Sequence, residues 1–207
     1  MISNIFDREK NKITNLFREK KFKDVINKGS NLILKIPDDS QILYILGLSF
    51  IELQDFINAE KYFKKLIKIR EHSNIYYTYG NIQKKLKKFD NAIDSFQKAI
   101  NLNPNFSEAY NNLGNTKKII NKRSEAINHY KKAILIKEDN IEALINLSII
   151  LKENNNYDDL INVYKKILKL DNKNVKTIYN LGSAYLFLGD IHKGRECFEK
   201  VIQIDKL

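Results

Sequence analysis

A pattern of residues that returns every 34 positions constrains this 207-residue chain more than any other feature. Positions are counted from 1 to 34 within each copy, with Gly114 placed at position 8. The copies then run 6–39, 40–72, 73–106, 107–140, 141–174 and 175–207, and the second is one residue short. Position 8 reads Ile13, Gly47, Gly80, Gly114, Ser148 and Gly182, and position 24 reads Gly29, Phe63, Phe96, Tyr130, Tyr164 and Phe198. Repetition at such a period predicts an array of similar structural units.

Each unit has the apolar spacing of two helices. In the fourth copy the first run holds Tyr110, Leu113 and Lys117, and the second holds Ala126, Ile127, Tyr130, Ala133 and Ile134. These intervals of three, four and seven residues are typical of one helix face. A polar turn, residues 121–123, separates the runs, so we expect a helix–turn–helix unit with Asp55, Asp90 and Ser124 as N-caps of second helices. Small residues at positions 8 and 20 are expected to let the paired helices approach closely.

These features resemble the tetratricopeptide repeat (TPR) family over about 200 residues. The resemblance is clearest in YNNLGN at 110–115 and in EAINHYKKAI at 125–134, and both prolines, Pro37 and Pro104, fall at position 32. It implies an all-α fold, a right-handed α-solenoid (superhelix) of about six such helix–turn–helix repeats, in one array spanning 1–207. The first copy departs from the pattern at Ile13 and Gly29, as terminal repeats often do.

Composition narrows the class of protein further. The chain is 43% hydrophobic and 29% charged, as globular proteins are, and its longest uncharged apolar stretch, 41–51, is too short to cross a bilayer. Cys197 is the single cysteine, which fits a reducing compartment, so we expect a cytoplasmic protein without membrane insertion. The net charge of +11 permits an acidic partner, but lysines recur at position 26, an outer position in the family. Nucleic acid is therefore not the expected partner; it would require affinity that falls steeply with salt.

Catalytic and metal-binding patterns are missing from the sequence. The histidines His72, His129 and His192 have no cysteine, histidine or carboxylate at ligand spacing, and the glycines do not form a phosphate loop. Cys197 is expected to be a half-buried packing residue rather than a nucleophile. We therefore expect no enzyme, no cofactor and no metal.

The positions that the family turns into its concave groove carry the candidate binding residues. Position 6 reads Asn112, Asn146 and Asn180 in the last three copies, preceded by Thr78 in the third. Position 9 adds Asn81 and Asn115, position 5 adds Tyr77 and position 2 adds Lys176. An asparagine offers both a donor and an acceptor, so such a row can pair with successive peptide units of an extended chain.

Two binding sites of the family include residues of the same kinds at these positions. The asparagine row is similar to that of O-linked N-acetylglucosamine transferases, which grip substrate peptides by their backbone. The carboxylate clamp of chaperone-binding arrays is matched at Asn115, Asn146 and Lys176 but not at Asn111 and Asn180, where cations are required.

The resulting expectation is a non-catalytic scaffold that binds a peptide segment or partner protein in its concave groove. The alternative is the substrate-recruiting TPR region of a glycosyltransferase whose catalytic domain lies outside this chain. The sixth copy is not followed by the polar helix that usually closes such arrays. Its apolar outer face is therefore expected to be exposed, to be covered by another copy through self-association, or to be covered by sequence outside this chain.

Overall fold

The computed structural model describes residues 2–205, and over that range the chain forms helices and no strand. The helices are α1 (Ile2–Arg18), α2 (Phe22–Lys35), α3 (Ser40–Glu52), α4 (Phe56–Ile69), α5 (Ser73–Lys85), α6 (Phe89–Leu102), α7 (Ser107–Ile119), α8 (Arg123–Ile136), α9 (Ile141–Glu153), α10 (Tyr157–Leu170), α11 (Val175–Phe187) and α12 (Ile191–Asp205). Consecutive helices pair within each predicted repeat, so the prediction of an all-α protein built from helix–turn–helix units is confirmed.

The two helices of every repeat are joined by the same turn. Its central residue, at position 15, has a left-handed backbone conformation in all six copies: Lys20, Gln54, Lys87, Asn121, Asn155 and Gly189. The amide of the next residue donates to the carbonyl five residues earlier, as from Lys122 to Lys117 at 2.9 Å. This is the hydrogen bond of a Schellman helix ending, and it reverses the chain at the same point of each repeat.

This turn also decides where the second helices begin. Asp55 caps α4 as predicted, since its carboxylate accepts from the Asn58 amide at 3.1 Å. The predicted caps Asp90 and Ser124 are wrong, because α6 and α8 begin at Phe89 and Arg123. Helix geometry starts directly after the position-16 residue, and at those two turns that residue is a lysine without a side-chain cap.

Glycine at position 8 makes room for the aromatic ring at position 24 of the same repeat. A Cβ atom on Gly114 would lie 2.7 Å from the Tyr130 ring, and one on Gly47 would lie 2.6 Å from the Phe63 ring. Both rings are fully buried. The expected close approach of paired helices therefore depends on a ring packed against bare helix backbone.

The chain divides into two compact units, Met1–Pro104 and Asn105–Leu207. Each has its own hydrophobic core: one is built from α1–α5 around residues such as Leu46 and Phe63, and the other from α8–α11 around residues such as Leu144 and Leu147. The six repeat boundaries within a single array remain a prediction. Among the described helices, none is long and apolar enough to span a membrane.

Candidate functional site

A cavity of about 990 Å³ opens in the second unit between the first helices of the last two repeats. We call it the α9–α11 groove. It is lined by side chains of α9, α10 and α11 and of the turns that precede α9 and α11: Asp139, Ile141, Ile145, Ser148, Ile149, Lys152, Glu153, Tyr164, Ile167, Leu170, Asp171, Asn174, Lys176, Thr177 and Asn180. Its volume is at the upper end of the range for protein ligand pockets.

Isoleucines on one face of α9 form the apolar surface of the groove. Ile141, Ile145 and Ile149 are spaced four residues apart, which places them in one row along the helix. They are 39%, 45% and 42% exposed, although large aliphatic side chains in a folded protein are usually buried. The row is therefore apolar area that the second unit leaves uncovered.

The ends of α9 differ in charge. Asp139 and Asp171 lie in the turns at the start of the groove, and Lys176 lies on the first turn of α11. At the far end Lys152 adjoins Glu153, and the Glu153 carboxylate is 3.5 Å from both Lys118 Nζ and Arg123 Nη1. Within the described part of the chain, the lining charges without an ion pair are therefore Asp139, Asp171 and Lys176 where α9 begins and Lys152 where α9 ends.

Two of the predicted binding residues, Asn180 and Lys176, line this groove. Asn180 is half-buried and Lys176 is exposed. Local structure positions both, because Asn174 caps α11 by accepting from the Thr177 amide at 3.0 Å. Neither Asn180 nor Lys176 has a side-chain hydrogen bond or ion pair with another residue in the range 2–205. The Asn180 amide and the Lys176 ammonium group therefore line the cavity unpaired.

The other predicted residues of the second unit lie outside the groove lining. Asn146 donates from its side-chain nitrogen to Asn111 Oδ1 at 3.0 Å, and Asn115 Oδ1 accepts from the Tyr130 hydroxyl at 2.8 Å. Asn112 is half-buried on α7, where its backbone carbonyl accepts from the Thr116 hydroxyl. Asn146 has therefore committed a donor and Asn115 an acceptor to contacts between or within repeats.

Three predicted residues, Tyr77, Thr78 and Asn81, lie half-buried on α5 of the first unit. The Thr78 hydroxyl donates to the Asn74 carbonyl at 2.8 Å, and the Tyr77 ring is tilted against Phe96 with a centroid distance of 6.0 Å. The first unit has a cavity of about 360 Å³ at the position equivalent to the α9–α11 groove, lined by Ser40, Gln41, Tyr44, Leu66, Arg70, His72, Asn74 and Ile75. None of the three predicted residues lines it.

Asn111 is a positioning residue that the sequence analysis treated only as a mismatch to a clamp. It is 2% exposed, accepts from Asn146 and donates to Glu142 Oε2 at 3.3 Å. Position 5 holds tyrosine or isoleucine in four other repeats, so an asparagine there was the available signal. Its two hydrogen bonds join α7 to α9 and orient Asn146.

His129 packs beside Tyr110, and Cys197 is half-buried. No group of three or more histidine, cysteine, aspartate or glutamate residues within 2–205 could hold a metal ion. Burial lowers the pKa of His129, and burial raises the pKa of the Cys197 thiol, with the neighbouring Glu196 adding to the effect. His72 caps α5 through Nδ1, which accepts from the Asn74 amide at 3.2 Å.

Comparison with known families identifies the repeat. Models described as "Tetratricopeptide repeat" match residues 40–72, 107–140 and 175–206, and another matches 143–176. A model described as "TPR repeat" matches residues 80–118. Among curated proteins, none matches the sequence.

Solved structures share the fold at low sequence identity. MamA is 23% identical with a TM-score of 0.73, covering 82% of this chain and 96% of that one. The C-terminal part of a TPR repeat-containing protein from Cytophaga hutchinsonii is 19% identical with a TM-score of 0.81, covering 94% and 78%. YrrB, described as "a TPR protein with an unusual peptide-binding site", is 18% identical with a TM-score of 0.68, covering 85% and 91%.

Proposed function

The chain belongs to the tetratricopeptide repeat family, and we propose that it is a non-catalytic scaffold that binds a peptide segment of a partner protein in the α9–α11 groove. The single observation that carries this proposal is the uncovered isoleucine row within a cavity of about 990 Å³. Exposed apolar area that lines a concave surface is typical of a binding site. The peptide-binding site named for YrrB, a protein of the same fold, supports the same class of function.

Asparagines contribute to this proposal as groups that pair with the peptide backbone. Asn180 projects an unpaired amide into the groove, while Asn112 and Asn146 occupy the same position of the two preceding repeats. Asn146 has one donor engaged by Asn111 and keeps its side-chain oxygen as an acceptor. We assign Asn180 the backbone recognition within the groove, and we assign Asn146, which lies outside the lining, a smaller share with a peptide that extends beyond the groove.

Peptide display tests the proposal directly. A random twelve-residue library selected against the full chain is expected to yield binders, whose affinity is then measured by fluorescence anisotropy. Replacing Asn112, Asn146 and Asn180 together by alanine should weaken these binders about tenfold or more, since each lost hydrogen bond costs roughly 0.5–1.5 kcal/mol.

The matched control replaces Asn27, Asn128 and Asn162 by alanine. All three occupy position 22 on second helices and are exposed. They should bind the selected peptides as the unmodified chain does, and circular dichroism checks that both triple variants remain helical. A library that yields no binder, or binders equally insensitive to both triple variants, would contradict the proposed site.

A further inference from the structure

The chemistry of the α9–α11 groove indicates which peptides it takes. We infer that it binds an extended segment with alternating aliphatic side chains, flanked by a basic residue at one end and an acidic residue at the other. The inference rests on the proposed function and adds the class of ligand. Three observations carry it: the spacing of the isoleucines, the length of the groove and the charge at its two ends.

Spacing matches the isoleucine row to one face of an extended chain. Residues four apart on α9 are separated by about 6 Å along the helix axis, so Ile141, Ile145 and Ile149 mark sites at about 0, 6 and 12 Å. Side chains on one face of an extended peptide recur at about 6.6 Å, because the rise is about 3.3 Å per residue. Three alternate aliphatic residues therefore contact three isoleucines.

Length sets how many residues of an extended segment the groove holds. The groove from Asp139 to Lys152 is about 20 Å long, because a helix rises about 1.5 Å per residue. An extended chain covers this length with about six residues, so the segment between the charged ends is short.

Charge selects the residues that flank the aliphatic segment. Asp139 and Asp171 outnumber Lys176 where α9 begins, and neither carboxylate forms an ion pair within the described part of the chain. At the other end, Lys118 and Arg123 lie outside the lining and pair with Glu153, which leaves Lys152 as the lining charge without an ion pair in the described part of the chain. A basic side chain is accordingly expected beside the aspartates and an acidic one beside Lys152.

The equivalent cavity of the first unit has the opposite charge at its turn. Arg70 occupies position 31 there, where the α9–α11 groove has Asp171. Its volume is about 360 Å³, and Tyr44 takes the place of Ile145, with its ring against Phe63 at 5.8 Å. The negative end and the aliphatic row are thus properties of the α9–α11 groove and not of the repeat in general.

Four blocked, fluorescein-labelled peptides test the inference by anisotropy with the full chain. Two carry the charged ends in opposite directions, Lys-Leu-Thr-Leu-Thr-Leu-Glu and Glu-Leu-Thr-Leu-Thr-Leu-Lys. The third replaces both charged residues by glutamine, and the fourth replaces the leucines by serine. One of the two charged directions should bind about tenfold more tightly than its reverse and than the glutamine peptide, and the serine peptide should not bind.

Variants of the protein give the complementary test. Replacing Asp139 and Asp171 together by lysine should abolish the preference for one charged peptide over its reverse. The control is Asp38→Lys, at the same repeat position as Asp139 but in the first repeat, and it should leave that preference unchanged. Ile145→Ser should lower the affinity for the preferred peptide about tenfold, because the aliphatic contact between Ile145 and the peptide is lost. Ile145 is 45% exposed, so this change does not empty the core.

The outcomes separate this inference from the function on which it rests. Equal binding of both directions and of the glutamine peptide would overturn the role of charge, and equal binding of the serine peptide would overturn the aliphatic row. If display selects peptides of another composition that still depend on Asn180, only the inference fails. If no peptide from either experiment binds, the proposed function fails as well.

Discussion

Gly114→Ala tests the packing of a position-8 glycine against the position-24 ring, a pair that four of the six repeats share. The added Cβ would lie 2.7 Å from Tyr130 Cε1, 2.8 Å from Tyr130 Cδ1 and 3.2 Å from the Ala126 carbonyl oxygen. The ring cannot move aside easily, because Tyr130 is fully buried and its hydroxyl donates to Asn115 Oδ1 at 2.8 Å. Removing the steric clash with the added Cβ therefore requires a shift of α8 relative to α7.

Two opposing effects set the size of the change in the free energy of unfolding. Overpacking a buried site typically costs about 1–3 kcal/mol, while alanine is favoured over glycine within a helix by about 1 kcal/mol. We expect a net loss of about 1 kcal/mol in the free energy of unfolding, or a fall of about 2–4 °C in Tm. Urea unfolding followed by circular dichroism measures the change in the free energy of unfolding.

A double-mutant cycle with Tyr130→Leu separates the ring from the backbone effect. Once the ring is gone, the same Gly114→Ala change should stabilise the chain by about 1 kcal/mol, which gives a coupling energy of about 2 kcal/mol. The first repeat already carries a related exchange, Ile13 at position 8 with Gly29 at position 24. If Gly114→Ala stabilised the chain equally with and without the Tyr130 ring, the packing argument would be refuted.

Three further predictions concern buried and capping groups. Ser107→Ala should lower the free energy of unfolding by about 1–3 kcal/mol in urea titrations, since the buried Ser107 hydroxyl donates to the Ala133 carbonyl and accepts from Asn140. The control is Ser124→Ala at an exposed serine. An equal loss of stability in the two variants would contradict the role of the buried hydroxyl. Hydrogen bonds from the Asn58 side chain and backbone amide lower the pKa of Asp55 below its ordinary value of 3.8. The ionised Asp55 cap therefore stabilises the fold fully above pH 3.8, and this stabilisation is lost as the pH falls below 3.8 through the lowered pKa. Asp55→Asn should therefore make unfolding less sensitive to acid, and an unchanged pH profile would count against the cap. Burial raises the pKa of the Cys197 thiol, so iodoacetamide should modify it more slowly at pH 8 than in denaturant, and equal rates would contradict its burial.

Much of the fold could be predicted because it depends on local periodicity. The 34-residue period located every helix pair, and the shortened second copy corresponds to the turn between Ile69 and Ser73, which has three residues where the other turns between repeats have four. The helix starts at Phe89 and Arg123 were missed. Residue type alone does not locate these caps, because a left-handed residue at position 15 decides where each second helix begins.

The candidate site could be predicted only as a set of positions. Helical spacing places Asn112, Asn146 and Asn180 on corresponding faces, but it does not say which amides are engaged. Asn146 is engaged by Asn111, a residue 35 positions away, and Asn115 by Tyr130, 15 positions away. Partners at those separations are chosen by packing between helices.

The sequence by itself determined that this chain is an array of helix pairs, because apolar spacing and small residues recur at one period and each helix depends mainly on nearby residues. The tertiary structure decided where that array forms an open groove. Only packing of α9, α10 and α11 leaves Ile145 and Ile149 uncovered and places Asp171 and Asn180 in the same groove. The physical reason is that exposure and charge at a point in space depend on side chains from several helices, which periodicity along the chain does not specify.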